Sequence, residues 1–461
     1  MSTSKEKLFS DFNALSVEEW QKKIVSELKG KTLEELTHND RDGIATAPFY
    51  AYDASAHRNQ FIWKQHHSEG WHMTETICVA HAEQANKRAL QALNRGANTL
   101  WFKGHIHGHD FPRLLKDIAL AYVTVFISPS HADPNLASEL TDFLNKHEQS
   151  SVNTFICYSP LSQAATKGEH PGAVKEAIAS LYNQPHTKWA IDTALWRNAG
   201  CTPATELALF AAEAANYLNS LTKTDEREAL AGKIIWLSGV GEQFFTEIAK
   251  LRAARIIWAN LCKAFQINQP LHIQAENLLI NKSALDRHNN LLRATTEGMS
   301  AILGGADGLY LLPFDATNAN TSELGLRMSR NIQHILKEEA FFDKIEDPSN
   351  GAYYIDQLSK SLASKAWDNF QSIEAEGGYL KALTQNSLQQ KCAEQYEALK
   401  QDFLSNKKII LGVNQFPNDE EVPELSTLPL PTSPIKHGPD FNAIQPVRLA
   451  TEKEMEKQQT V

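Results

Sequence analysis

Short apolar runs alternating with amphipathic helical stretches predict an α/β chain built as a (β/α)8 TIM barrel over residues 96–412. An N-terminal helical extension, residues 1–95, precedes the barrel, and an extended Pro-rich C-terminal tail, residues 413–461, follows it. Three observations carry the prediction. Runs at 99–102, 123–127, 154–158, 189–192, 234–237, 271–274 and 308–312 are apolar and β-rich, and they recur at the spacing of βα units. The stretches between them repeat apolar residues with a helical period. After Val413 both patterns stop, and seven prolines fall between Pro417 and Pro446. A run near 342–345 is the expected eighth strand, and a doubly wound open sheet is the alternative arrangement of the same units.

Taken in order, the extension opens with a capping box, Ser16-Val17-Glu18-Glu19, followed by Trp20 and Ile24 at helical spacing. Residues 40–52, with Gly43, Pro48 and two tyrosines, read as loop, and 83–94 as a helix stopped by Gly96. In the barrel, 244–261 places Phe245, Ile248, Ile256 and Ala259 on one helix face, beside Arg252 and Arg255. Stretches 324–339 and 358–376 are also helical, the second ended by Gly377-Gly378. The tail scatters Leu428, Leu430, Ile435 and Phe441 among its prolines, a composition suited to lying along a partner surface. At ~3.1 Å per residue it could reach on the order of 140 Å.

Composition narrows the class. A net charge of −10 over 461 residues argues against nucleic acid as a partner. No run of 18 apolar residues exists to span a membrane, and the first residues lack the apolar stretch of a signal peptide. Five cysteines, an odd number without a close pair, point to a reducing, cytoplasmic setting rather than to disulfides or zinc.

Candidate chemistry is sparse. His105, His107 and His109 alternate, so in an extended segment they share one face, as metal ligands can. Ser238-Gly239-Val240-Gly241 follows a strand and precedes a helix, where an anion could bind, but it is more simply a βα turn. Bulky residues of both parities, such as Trp101 and Phe102, predict a packed barrel interior. Residues 193–201, TALWRNAGC, follow a strand at the junction where barrel enzymes keep catalytic side chains. Ala194, Leu195 and Trp196 stand there, and none carries a proton near neutral pH.

Several segments resemble the adenosylcobalamin-dependent methylmalonyl-CoA mutases. They are FFTEIAKLRAARIIW at 244–258, DPSNGAYYID at 347–356, RMSRN at 327–331 and EGG at 376–378, with LKGK at 28–31 and GVN at 412–414. In that family a barrel holds the acyl-CoA ester, and a C-terminal Rossmann-like domain binds cobalamin through an Asp-x-His-x-x-Gly motif. The resemblance implies that this chain lacks the motif. Its one Asp-x-His, Asp286-Arg287-His288, has Leu291 at the glycine position.

The family's catalytic Gly-Tyr-His-Met-Gln-Glu-Ala-Gly lines up with 193–200, so tyrosine and histidine become Ala194 and Leu195. Its substrate-holding arginine and tyrosine become Thr74 and Thr76, and its Thr-His-Ser-Gln-Thr-Ser-Gly stretch aligns with 273–279. The resemblance therefore implies no catalytic residues, no metal and no cofactor in this chain. It implies a non-catalytic small subunit paired with a large catalytic subunit that carries adenosylcobalamin. Together they would interconvert methylmalonyl-CoA and succinyl-CoA. The alternative is an independent barrel enzyme with a repurposed site, using a metal at His105, His107 and His109.

Overall fold

The computed structural model describes residues 15–51, 70–131, 133–146, 153–318, 320–418 and 431–459. Eight parallel strands close into a barrel. They are β1 (His72–Val79), β2 (Thr99–Gly104), β3 (Thr124–Pro129), β4 (Thr154–Tyr158), β5 (Thr187–Asp192), β6 (Ile234–Val240), β7 (His272–Asn277) and β8 (Gly308–Tyr310). β8 pairs with β7 on one side and with β1 on the other, which closes the ring and excludes the open sheet.

Seven strands lie where the apolar runs predict them. The eighth does not: Phe342–Lys344 is a single 3₁₀ turn, and the missing strand is the first, β1. The barrel thus begins inside the 1–95 stretch assigned to the extension. The reason is chemical. In β1 the inward positions are His72, Thr74, Thr76 and Cys78, so Met73, Ile77 and Val79 alternate with polar residues and make no continuous apolar run.

Alternation divides the strand residues between two cores. Leu100, Phe102, Val125, Ile127, Ile156, Ile191 and Trp236 face outward into the main core under the helices. Trp101, Phe126, Cys157, Ala190, Ile235 and Leu237 face inward and form a separate cluster, with Phe155 packed against it. The predicted packed interior is therefore present.

The helices include α1 (Val17–Glu27), α2 (Ala194–Asn198), α3 (Pro203–Asn219), α4 (Phe244–Phe265) and α5 (Tyr353–Ala375). α1 has the predicted capping box but buries no residue. α3 is buried on nearly every side because α4 and α5 pack over it. On α4, Ile248 is buried as expected, but Phe245 and Ala259 are exposed. The buried side instead carries Arg252 and Arg255, each paired. Arg252 bonds Asp347 and, at 2.8 Å, Asp356. Arg255 hydrogen-bonds the Gly304 and Gly305 carbonyls.

The tail is extended in backbone but fastened to the barrel. Ile435–Lys436 pairs with Ala443–Ile444, and the Asp440 and Phe441 amides donate to the Gly168 carbonyl. That approach requires glycine, since a Cβ at Gly168 (φ +69°) would lie 2.4 Å from the Phe441 carbonyl oxygen. Further on, Val447 N–H donates to Asn198, Leu449 N–H to Ile280, and a last helix, α6 (Thr451–Gln459), completes the described chain. Phe441 is buried and Ile435 partly so, while Leu428 and Leu430 lie outside the described residues. The long reach expected of the tail is not realised in residues 431–459.

Candidate functional site

The C-terminal ends of the strands form the face on which a barrel keeps its chemistry. Inside this mouth the aromatic plug gives way to one polar layer. Lys103, Asp192 and Glu276 occupy the inward positions just above Trp101, Ala190 and Gln274. Lys103 Nζ lies 4.0 Å from Glu276 Oε2 and 5.5 Å from the Trp101 ring centroid. Burial pushes the Lys103 ammonium down, but Glu276 and Asp192 outweigh it and hold it above its ordinary value. Burial raises both carboxyls, against the pull of Lys103. A cavity of about 200 Å³ opens beside this layer, over Trp101, Ala190 and Leu237.

The junction after β5 is sealed. Burial leaves Ala194 with no exposure, and Leu195 packs partly against the main core. A Cβ on Gly239 would come within 3.0 Å of Arg197 Cβ and 3.3 Å of Ala194 Cα, so α2 rests directly on the end of β6. Arg197 then turns inward. Its Nη2 donates to Glu247 Oε1 at 2.9 Å, its Nη1 to the Cys201 carbonyl at 2.6 Å, and its Nε lies 3.4 Å from Glu206 Oε2. Lys250 meets Glu206 and Glu247 at 2.7 Å each and also bonds the Gly239 carbonyl. Two cations and two carboxylates thus neutralise one another out of contact with water. Burial pushes the Glu247 carboxyl up, but Lys250 and Arg197 pull it below its ordinary value.

The same carboxylates answer the glycine turn at 238–241. Gly239 N–H donates to Glu206 at 2.9 Å and Gly241 N–H to Glu247 at 3.0 Å. Those amides are satisfied internally, so the turn offers no anion site, and it is the simple βα turn.

The other aligned positions pair with each other. Thr74 is buried, and its Oγ1–H donates to Gln274 Oε1 across the interior at 3.2 Å. Thr76 is half-buried beside Trp101 in the register of β1 and β2. Asn277 of the same segment bonds Glu297 and the Leu312 amide. His288 packs on the Phe314 ring, and Asp286 accepts from Asn289.

The histidines do not converge. The rings of His107 and His109 stack on each other at 5.3 Å, while the ring of His105 stacks on His131 at 5.4 Å. Among the described residues no group of three or more His, Cys, Asp or Glu side chains is placed to hold a metal ion. The five cysteines are free. No described helix is long and apolar enough to cross a membrane.

Motif reading passes over Lys103, Asp192 and Glu276, because no motif contains them. Their signal is positional: each stands two residues after an inward-facing residue, at the C-terminal end of its strand.

Comparison with known proteins adds a separate line. The family model described as methylmalonyl-CoA mutase matches residues 176–455. The methylmalonyl-CoA mutase small subunit of Porphyromonas gingivalis is 32% identical over 450 residues, covering 92% of this chain and 73% of that protein. The probable methylmalonyl-CoA mutase small subunit of Mycobacterium tuberculosis is 33% identical over 401 residues, covering 82% of this chain and 64% of its own length. Among solved structures, a dihydropteroate synthase from Stenotrophomonas maltophilia overlays 60% of this chain and 95% of its own, at 12% identity. Its TM-score of 0.35 is too low to argue from.

Proposed function

This chain belongs to the methylmalonyl-CoA mutase family, and from that premise we propose that it is the non-catalytic small subunit of a heterodimeric mutase. Its partner is a large catalytic subunit that carries adenosylcobalamin, and the complex interconverts (R)-methylmalonyl-CoA and succinyl-CoA in the cytoplasm. The observation that carries the reading is the plug of Trp101, Phe126, Phe155, Ile235 and Leu237 along the barrel axis. An acyl-CoA threaded down the barrel, as the family binds it, has no path through these side chains.

The aligned positions support the same conclusion. Ala194 and Leu195 supply no acid or base, and the loss of a positioned proton donor alone costs about 10²–10⁴ in rate. Thr74 is committed to Gln274. The one Asp-x-His, Asp286-Arg287-His288, has Leu291 where the family's cobalamin motif has glycine, which supports placing adenosylcobalamin in the partner. The role left to this chain is structural support. α1 is a candidate contact: it buries none of its residues, and Trp20 and Val25 stay exposed.

The test is to co-express the chain with its large-subunit homologue, then purify the pair and each chain alone. The expected result is a 1:1 complex by size-exclusion with light scattering, with no turnover of methylmalonyl-CoA by this chain alone when adenosylcobalamin is supplied. Separate elution at micromolar concentration, or turnover by the isolated chain, overturns the reading.

A further inference from the structure

Two cysteines far apart in the sequence meet behind the junction that follows β5. Cys201 lies between α2 and α3, and Cys392 lies on the helix Ser387–Leu404. The two elements approach at backbone distance. A Cβ on Gly200 (φ +107°) would lie 2.7 Å from Tyr396 Cβ and 3.0 Å from Tyr396 Cα, so glycine admits the helix here. Cys392 stands one turn before Tyr396, on the same helix face. Its Sγ lies 3.5 Å from the Ala199 carbonyl oxygen and 3.9 Å from that of Trp196. The Trp196 carbonyl also accepts from the Cys201 amide at 3.0 Å. The Cys392 thiol thus faces both the thiol and the backbone N–H of Cys201. Gln395 pins the contact: its Oε1 accepts from the Thr202 amide at 3.1 Å, and its Nε2 donates to Thr205 Oγ1 at 2.8 Å.

The remaining thiols have other neighbours. Cys157 sits in the interior plug, Cys262 faces the Gln269 carbonyl, and Cys78 is exposed at the end of β1. Both thiols of the pair are enclosed, and both are free. Burial pushes the Cys392 thiol well above its ordinary value, so thiolate is scarce while the helix is seated. A first attack on a reagent from solvent therefore waits on a local opening of that helix. The second step is favoured by position. Once one thiol is engaged, reseating the helix returns its neighbour to contact, and reactants held in this way gain a high effective concentration.

We propose that Cys201 and Cys392 form a reversible disulfide when the chain meets a small-molecule disulfide, a redox-sensitive clamp between the segment after β5 and the helix Ser387–Leu404. One protein thiol loses its proton and attacks a sulfur of the reagent, whose S–S bond breaks as a first small thiolate leaves. The other protein thiol then loses its proton and attacks the mixed disulfide, the Cys201–Cys392 bond forms, and a second small thiolate leaves. The two released thiolates take up the two protons, and two electrons pass from the protein to the reagent. The clamp lies within this chain and does not depend on the subunit role, so either proposal can fail without the other.

The test uses the purified full-length chain carrying Cys78→Ser, which removes the exposed, competing thiol. The chain is brought to equilibrium with oxidised glutathione, alkylated in urea and digested for mass spectrometry. The expected result is one bridged peptide pair, Cys201–Cys392, lighter by two hydrogens than its reduced peptides, with Cys157 and Cys262 alkylated. Dithiothreitol restores alkylation at both positions. The oxidised chain also unfolds at a higher urea midpoint than the reduced one, because the bond closes a long loop in the unfolded state. Glutathione acting on the chain already unfolded in urea gives adducts and mixed pairings, so the selectivity belongs to the fold. Free thiols at both positions once equilibrium is reached, bridges to Cys157 or Cys262 in the native chain, or a urea midpoint unmoved by oxidation overturns the proposal.

Discussion

Lys250 lies on α4 without exposure, bonded to two carboxylates and the Gly239 carbonyl. Removing its charge leaves Glu206 and Glu247 with Arg197 alone. Breaking a buried pair in this way costs about 3–5 kcal/mol, because the stranded charge stays out of water. Lys250→Met is therefore expected to lower unfolding free energy by that amount in urea melts. A loss under about 1 kcal/mol would mean the network adds little. The same scale explains what could be read from the chain in advance. Ala194 and Leu195 stand out because the family motif gives them something to replace. Arg197 sits in the same nine-residue stretch, but its partners, Glu206 and Glu247, become neighbours only when α2, α3 and α4 meet. Lys103, Asp192 and Glu276 were legible only as a parity, since they come from three separate strands.

Among the elements, β1 and the tail are misjudged by periodicity for opposite reasons. β1 carries polar residues on its inward side, so its apolar signal is halved. The tail has little period before its last helix, but it packs: Val447, Leu449 and Ala450 join Leu278, Ile280, Tyr396 and Phe403 in a third apolar cluster, beside the loops after β5 and β7. Backbone hydrogen bonds to distant loops direct it, and these leave no trace in side-chain pattern. If the cluster is integral, Leu449→Ala costs about 2–5 kcal/mol, as for a core leucine. Urea unfolding checks this, and a change below about 0.5 kcal/mol would indicate a tail that only rests on the surface. Segments that carry the family resemblance prove to be scaffolding. Arg252 of the 244–258 stretch bonds Asp347 and Asp356 of the 347–356 stretch, and Arg330 bonds Glu75 at 2.8 Å.

For the molecule as a whole, pH dependence should expose one buried acid. Glu213 on α3 has no exposure, and its Oε1 accepts from Ser162 at 3.0 Å and Tyr217 at 2.9 Å. Burial pushes its carboxyl up to about 8. In the unfolded chain a glutamate titrates near 4.3. Between those values the folded state holds a proton the unfolded state has released, so stability from this group is full below about 4.3 and falls as pH rises towards 8. The slope approaches about 1.4 kcal/mol per pH unit. Denaturant melts at pH 5.5 and 7.5 are expected to show this loss in the native chain and a smaller one in Glu213→Gln. Parallel losses would assign the effect to other groups.

The tail's contacts with the loops after β5 and β7, at the rim of the mouth, also set an order in time. β8 must be made before the ring can close on β1, and residues 447–450 must be made before the cluster at the rim can be completed. Both joins link segments far apart along the chain, the slow kind of contact in folding. During synthesis the mouth therefore stays unfinished after every strand has left the ribosome. A chain halted at residue 430 would carry a closed ring whose cluster of Leu278, Ile280 and Tyr396 still lacks Val447, Leu449 and Ala450. Completion of the mouth then reports that translation has passed residue 450.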